Sequence, residues 1–305
     1  MQAILSVVAP VFLIIGLGWL SARRGLVDKA GFAGLNRSAF TFCAPALLFL
    51  GGTSGQAGGG RTALAFFLGA ALLYAGLLVL ARRRLPLGEA GALALDATYG
   101  NAVMMGIPLI LAAFGEQALG LLLAVIALHS MLMLGAATIV AEIGLHARAP
   151  WQRVLRATVL GVVRNPVVMA VVAALAWRLL GLPPLTGLLR RTLEMLGAAT
   201  PPAALFCLGG SLLGFDARGA WRTTLLIAGL KLLALPALVW AIARLLGLSP
   251  LETAVAVVAA ALPTGANAFM LAQRYRLDEA RSGATVLVST AASVVTLSLL
   301  IAWLR

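Results

Sequence analysis

The sequence predicts an all-α polytopic membrane protein of ten transmembrane helices arranged as a 5+5 inverted repeat. Three observations carry that prediction. The chain has 305 residues, 62% of them hydrophobic and only 11% charged, with a mean hydropathy of +1.02; a soluble domain is about 45–50% apolar and about 25% charged. Apolar stretches recur at about the 20-residue length that crosses hydrocarbon as a helix. Proline motifs return in the second half of the chain at nearly one spacing.

The net charge of +13 does not point to nucleic acid, because the 23 Lys and Arg fall mostly between the apolar stretches. There they set topology and meet anionic lipid. Cys43 and Cys207 sit inside apolar segments without a CxxC or Cys/His partner, so neither a disulfide nor a metal site is expected. No Walker loop, HExxH or GxSxG elbow is present, which leaves ATP-driven transport and hydrolysis without their chemistry. Neither an enzyme nor a cofactor is expected. The N-terminal apolar run has no basic region before it and no small-residue cleavage site, so it reads as a retained first helix.

The first span is predicted over Ala3–Ser21, stopped by Arg23 and Arg24, and the second over Asn36–Gly51 with Pro45 inside it. A glycine-rich loop at 51–60 leads to the third, Thr62–Ala81, which ends on three consecutive arginines. The fourth, Glu89–Phe114, is mostly apolar yet holds Gly100, Asn101, Gly106 and Pro108. Proline lacks an amide hydrogen and its ring clashes with the carbonyl four residues back, which predicts a break near Met104–Met105. The fifth span is Gln117–Ala141. A basic connector follows, whose Trp151, Val154, Leu155 and Val159 share roughly one helical face, as in a helix lying on the membrane surface.

The sixth span starts at Asn165-Pro166 and ends by Leu180; the seventh, Leu188–Leu213, carries Pro201-Pro202; the eighth, Trp221–Leu245, carries Lys231 and Pro236. The ninth, Leu251–Gln273, is interrupted by Pro263, Thr264, Gly265 and Asn267. The tenth is Ser282–Leu304. This organisation gives a first repeat at 1–141, a connector at 142–164 and a second repeat at 165–305.

Pro10 and Gly25-Leu26 are matched by Pro166 and Gly181-Leu182, 156 positions on. Pro45-Ala-Leu-Leu-Phe before Gly51-Gly52 is matched by Pro202-Ala-Ala-Leu-Phe before Gly209-Gly210, and Pro108 by Pro263. Five helices per copy is an odd number, so the second copy enters the membrane inverted and the broken fourth and ninth spans run antiparallel. With both termini outside, 16 of the Lys and Arg fall in inner loops, six in outer loops or the tail, and Lys231 lies within a span. That excess agrees with the positive-inside rule.

Broken spans concentrate chemistry. In hydrocarbon, backbone freed by a break survives only where protein buries it or it lines a wet cavity. The half-helix after a break begins with unpaired amides and about half a positive charge, which attracts carboxylate. Asn101, Gly106, Ile107 and Pro108 at one break, and Pro263, Thr264, Gly265 and Asn267 at the other, are the candidate anion site. Two carboxamides could grip an anion without fixing it permanently. Lys231 could neutralise a substrate or pair with Asp96; His129 could shuttle protons or serve as a hydrogen-bonded structural imidazole. Tyr99 either lines the cavity or packs, and Glu194 is expected near Arg190 or Arg191. No acidic pair stands at the breaks, so a sodium site would have to use backbone, Asn or Ser/Thr oxygens.

Asn101-Ala-Val-Met-Met-Gly106-Ile-Pro108-Leu and Leu262-Pro263-Thr-Gly-Ala-Asn-Ala-Phe-Met-Leu-Ala272 resemble the broken fourth and ninth helices of the auxin efflux carrier family. Pro45-Ala-Leu-Leu-Phe, Asn165-Pro166 and Lys231-Leu-Leu-Ala-Leu-Pro236 resemble its second, sixth and eighth. The resemblance implies a scaffold and homodimer region of spans 1, 2, 6 and 7, and a mobile unit of spans 3–5 and 8–10 with an elevator mechanism. It implies a small organic anion as substrate, auxin-like or a malonate- or malate-like dicarboxylate, with Asn101 at the family's substrate-contacting asparagine. Plant members carry a different residue where Asn267 stands and a long cytoplasmic loop where this chain has a short connector. The compact bacterial type, in the inner membrane, is therefore expected. Proton or sodium coupling stays open, as do two rival readings: a sodium-coupled carrier of the bile-acid type and an anion-sensing membrane receptor that transports nothing.

Overall fold

Three prolines inside helices are accommodated in one way. Pro45, Pro108 and Pro236 each follow by two residues a widened turn, at Ala39–Cys43, Ala102–Gly106 and Leu230–Ala234 respectively. The residue before each proline donates its amide to the carbonyl five back: Ala44 to Ala39, Ile107 to Ala102, Leu235 to Leu230. A proline cannot supply the amide that an α-helical carbonyl four residues earlier requires. The π-type turn instead moves the preceding amide onto the carbonyl five residues back and widens the helix just ahead of the proline ring, so the helix continues through the proline.

A computed structural model describes residues 2–53, 59–145, 166–214 and 221–305. In order the helices are α1 (Gln2–Arg23), α2 (Lys29–Thr53), α3 (Gly60–Ala81), α4 (Leu87–Asp96), α5 (Ala102–Phe114) and α6 (Glu116–Gly144). The second half continues with α7 (Pro166–Leu179), α8 (Gly187–Ala198), α9 (Thr200–Ser211), α10 (Trp221–Leu245), α11 (Pro250–Ala261), α12 (Ala266–Tyr275) and α13 (Glu279–Leu304). No strand occurs among the described residues. Of these helices α2, α3, α6, α10 and α13 are each long and apolar enough to cross a membrane, so the chain is a polytopic all-α membrane protein. The connector face at Trp151–Val159 lies outside the described residues.

Several expected boundaries move. The second span begins at Lys29 and not Asn36, because the Asp28 carboxylate caps the helix by accepting from the Gly31 amide at 2.7 Å. The seventh span is two helices, with Pro201-Pro202 in the first turn of α9, where a missing amide costs nothing. Arg281 is no loop charge: it lies in the first turn of α13 and is 3% exposed.

The break in the fourth span falls at Ala97–Asn101, ahead of the expected Met104–Met105. Pro108 is absorbed by its π turn, while Thr98 Oγ1 donates back to the Ala94 carbonyl at 2.7 Å and the chain extends through Gly100 and Asn101. The ninth span breaks at Leu262–Gly265, where it was expected.

Gly25 and Gly181 end α1 and α7 with positive φ, 67° and 63°. Each makes the same pair of closing bonds: Gly25 to Ala22 and Leu26 to Ser21, Gly181 to Arg178 and Leu182 to Trp177. This is a Schellman-type cap that a side chain at the glycine would strain. Packing pairs also correspond between halves. Helix α1 lies along α9 and α7 along the Ala44–Thr53 part of α2; α4 lies on α3 and α6, and α11 on α10 and α13. A single large apolar cluster joins α3, α5, α6 and α11 around Met105, Ile107, Leu122 and Val258.

Candidate functional site

The two breaks meet. Gly100 and Thr264 face each other across an antiparallel bridge, with the Asn101 amide on the Pro263 carbonyl at 2.9 Å and the Gly265 amide on the Tyr99 carbonyl at 3.0 Å. Two broken helices thus satisfy each other's loose backbone, as burial in an apolar surrounding demands. A Cβ on Gly265 would lie 2.8 Å from the Tyr99 ring and 3.1 Å from the Gly100 oxygen, so glycine permits the approach. Residues paired across the bridge are numbered 100 and 264, a wider offset than that of Pro108 and Pro263. Pro263 directly precedes the bridge residue Thr264, whereas Pro108 lies eight residues after Gly100, so the two prolines do not take matching places at the crossing.

The expectation of free amides at both breaks is met only in part. Those of Asn101 and Gly265 serve the bridge, the Gly100 amide lies 3.2 Å from His129 Nε2, and the Thr264 amide donates to Ser289 Oγ at 3.0 Å. The amides that open α5 and α12 come next in the chain. Ala102, Val103 and Met104, with Ala266 and Asn267, line a cavity of about 320 Å³ beside the bridge. First-turn amides have no partner within their own helix.

Tyr99, Gly100, Asn101, Gly265 and Met270 complete the crossing side of the cavity. Asn36 and Phe40 of α2, Ile126 and His129 of α6, and Val167 and Val168 of α7 form the rest of its wall. Among the described residues no Asp, Glu, Lys or Arg lines it. Of the eight expected binding residues, Asn101, Gly265 and Asn267 reach the cavity. Gly106, Ile107, Pro108, Pro263 and Thr264 are buried behind it, where they shape the crossing but do not face the space. Thr264 Oγ1 donates to the Asp96 carbonyl at 2.7 Å, and Gly106 packs so closely on Leu262 that a Cβ there would lie 2.8 Å from its methyl.

Tyr99 both lines and packs. Its hydroxyl accepts from Asn267 Nδ2 at 3.0 Å, and its ring stacks on His129 with centroids 4.5 Å apart. His129 Nε2 stands 3.1 Å from the Gly100 oxygen as well as near its amide, so the imidazole holds Gly100 whichever tautomer it has, donating to the oxygen or accepting from the amide.

Lys231 and Asp96 do not pair. The Lys231 ammonium is fully buried, donates to the Ala260 carbonyl at 2.5 Å and does not line the cavity. The Asp96 carboxylate accepts from Ser282 Oγ at 2.6 Å and lies 3.6 Å from Arg281 Nε, while Arg281 Nη1 also reaches Asp278 at 2.9 Å. Glu194 pairs with Arg190 at 2.7 Å on an exposed helix face.

Sequence reasoning missed Asn36, Phe40, Val167 and Val168 as cavity residues, and Arg281 as the partner of Asp96. The Asp28 cap signal, read in time, would have placed Asn36 two turns inside a helix; nothing in the sequence signalled the wall that α7 supplies.

A mostly apolar cavity with no charged side chain among the described residues, edged by helix N-termini and two carboxamides, can hold a small anion by charge-assisted hydrogen bonds and release it again. Comparisons with known proteins agree in kind. A family model described as "Membrane transport protein" matches residues 3–301. A Rhizobium meliloti (strain 1021) protein named "Putative malonate transporter" is 31% identical over 324 aligned positions, spanning 100% of this chain and 97% of that protein. With both breaks in place and the match running from end to end, the chain belongs to the membrane transport protein family of the auxin efflux carriers.

Proposed function

We propose that this protein is a secondary active transporter of a small organic anion, a mono- or dicarboxylate, that binds at the crossing of α4–α5 with α11–α12. The observation that carries this reading is the shared cavity of Asn101 and Asn267 at two mutually bridged helix breaks. Donors placed there meet a carboxylate without a cationic side chain in direct contact to trap it. Lys231, one residue layer behind Gly100, adds positive potential to the same place. The name of the Rhizobium meliloti relative adds malonate as the first ligand to try.

The remaining parts of the proposal rest on the odd-numbered repeat, on the Lys and Arg distribution and on the resemblance to the auxin efflux carrier family. Ten spans form two inverted copies of five, both termini lie outside, and the protein works as a homodimer in a bacterial inner membrane. Spans 1, 2, 6 and 7 stay fixed while spans 3–5 and 8–10 carry the crossing past them. Matching helix caps at Gly25 and Gly181 and the paired packing of α1 on α9 and α7 on α2 support the repeat.

The test is counterflow of radiolabelled malonate in proteoliposomes. Asn101→Ala should abolish it while the protein still elutes as a folded species; unchanged counterflow would remove the crossing from the site. Running the same assay with and without sodium, and across pH, identifies the coupling ion. Asp96 and His129 are the candidates for proton coupling, and neutral replacements at both that leave the pH dependence unaltered would dismiss them.

A further inference from the structure

The donors described so far all belong to the crossing. Asn101, Asn267 and the first-turn amides sit on α5 and α12, so they converge on one end of whatever the cavity holds. The opposite wall comes from α2 and α7, and its lining residues are Asn36, Phe40, Val167 and Val168. Among these four only Asn36 has a polar side chain. Its Oδ1 is buried and has no hydrogen-bond partner. Native structures rarely leave a buried carboxamide oxygen unpaired, and an exception asks for an explanation. A half-turn of the carboxamide exchanges oxygen for the two-donor nitrogen, so the group can present either.

The cavity, about 320 Å³, stands at the small end of ligand pockets, about 300–1,000 Å³. That suits an anion of a few carbons. A monocarboxylate gripped at the crossing would turn its apolar end to Phe40 and Val167. A short dicarboxylate would bury a second charge against the same wall, where it needs a donor to replace lost water.

We propose that Asn36 supplies that donor and is a specificity-determining residue, binding the distal carboxylate of a short dicarboxylate and so selecting two-ended over one-ended anions. This inference rests on the crossing being the anion site. Three carboxamides then hold the ligand, two on the crossing and one on the facing helix. A monocarboxylate leaves Asn36 unpaired and gains nothing from it.

The experiment measures equilibrium binding of malonate and succinate, and of acetate and propionate, to the purified full chain. Wild type should bind the dicarboxylates more tightly. Asn36→Ala should weaken both dicarboxylates about tenfold or more, the effect of losing a hydrogen bond to a charged group, and shift the monocarboxylates less than twofold. Asn36→Asp, of nearly the same shape, sets charge against charge and should weaken dicarboxylates further. Asn36→Leu takes the place of the alanine variant if that one aggregates, under the same criterion. No dicarboxylate preference in wild type, unchanged dicarboxylate binding in the variants, or equal weakening of both ligand classes overturns the role of Asn36. Asn101→Ala is the separate arm and should weaken all four ligands. If wild type binds none of them, or Asn101→Ala changes none, the crossing is not the anion site and the proposed function fails on its own account.

Discussion

The Lys231 ammonium nitrogen lies 2.5 Å from the carbonyl oxygen of Ala260, in the last turn of α11. A helix ends with four carbonyls that have no partner in the helix, and a cation there complements the negative end of its dipole. Lys231 therefore clamps the first half of the broken ninth span from the neighbouring α10. A Cβ placed on Gly100 would come 3.5 Å from the same nitrogen, so the clamp also abuts the other crossing strand.

Lys231→Met keeps most of the side-chain volume and removes the donor. The expected loss is about 1.5–3 kcal/mol of stability, as for hydrogen bonds made by charged groups, read as a lower thermal midpoint in detergent. Malonate affinity should fall with it, because the nearest buried positive charge is gone. A destabilised variant with unchanged affinity would leave Lys231 a structural clamp alone.

Asp96 and Arg281 form a buried pair whose side chains are 1% and 3% exposed. Removing Arg281 strands the Asp96 carboxylate in an apolar surrounding, which costs about 3–5 kcal/mol, whereas replacing both members is often close to neutral. Arg281→Gln should lower the unfolding midpoint sharply, Asp96→Asn less because Arg281 keeps Asp278, and the double variant should recover most of the Arg281→Gln loss. Additive destabilisation in the double variant would show that the two residues act independently.

Tyr99→Phe tests how Asn267 is held. The phenylalanine keeps the ring stacked on His129 but withdraws the hydroxyl that accepts from Asn267 Nδ2. A neutral hydrogen bond is worth about 0.5–1.5 kcal/mol, so anion affinity should drop about two- to tenfold with little change in thermal midpoint. Unaltered affinity would mean that Asn267 needs no orientation from Tyr99 to do its work.

Much of the architecture was legible because bilayer physics writes itself into composition. Apolar runs of spanning length, arginines between them and a glycine after α1 and α7 all act locally, so a linear reading finds them. Asn101 and Asn267 stood out for the same reason, as carboxamides inside stretches that hydrocarbon would otherwise keep apolar. Pro108 misled, because a proline announces that an amide is missing without saying how the chain compensates. Here a π turn compensates and the break opens seven residues earlier, at Gly100 and Asn101.

By itself the sequence determined the all-α membrane class, the residues that interrupt the fourth and ninth spans, and that no acidic pair stands among them. Only the tertiary structure decided that the Asn101 and Gly265 amides are consumed by a bridge, that Asp96 meets Arg281 and Lys231 meets Ala260, and that Asn36 lines the same cavity as the crossing. The reason is physical: a hydrogen bond or ion pair between groups on different helices depends on where packing places those helices. Periodicity and composition report only what each segment would do with its own neighbours.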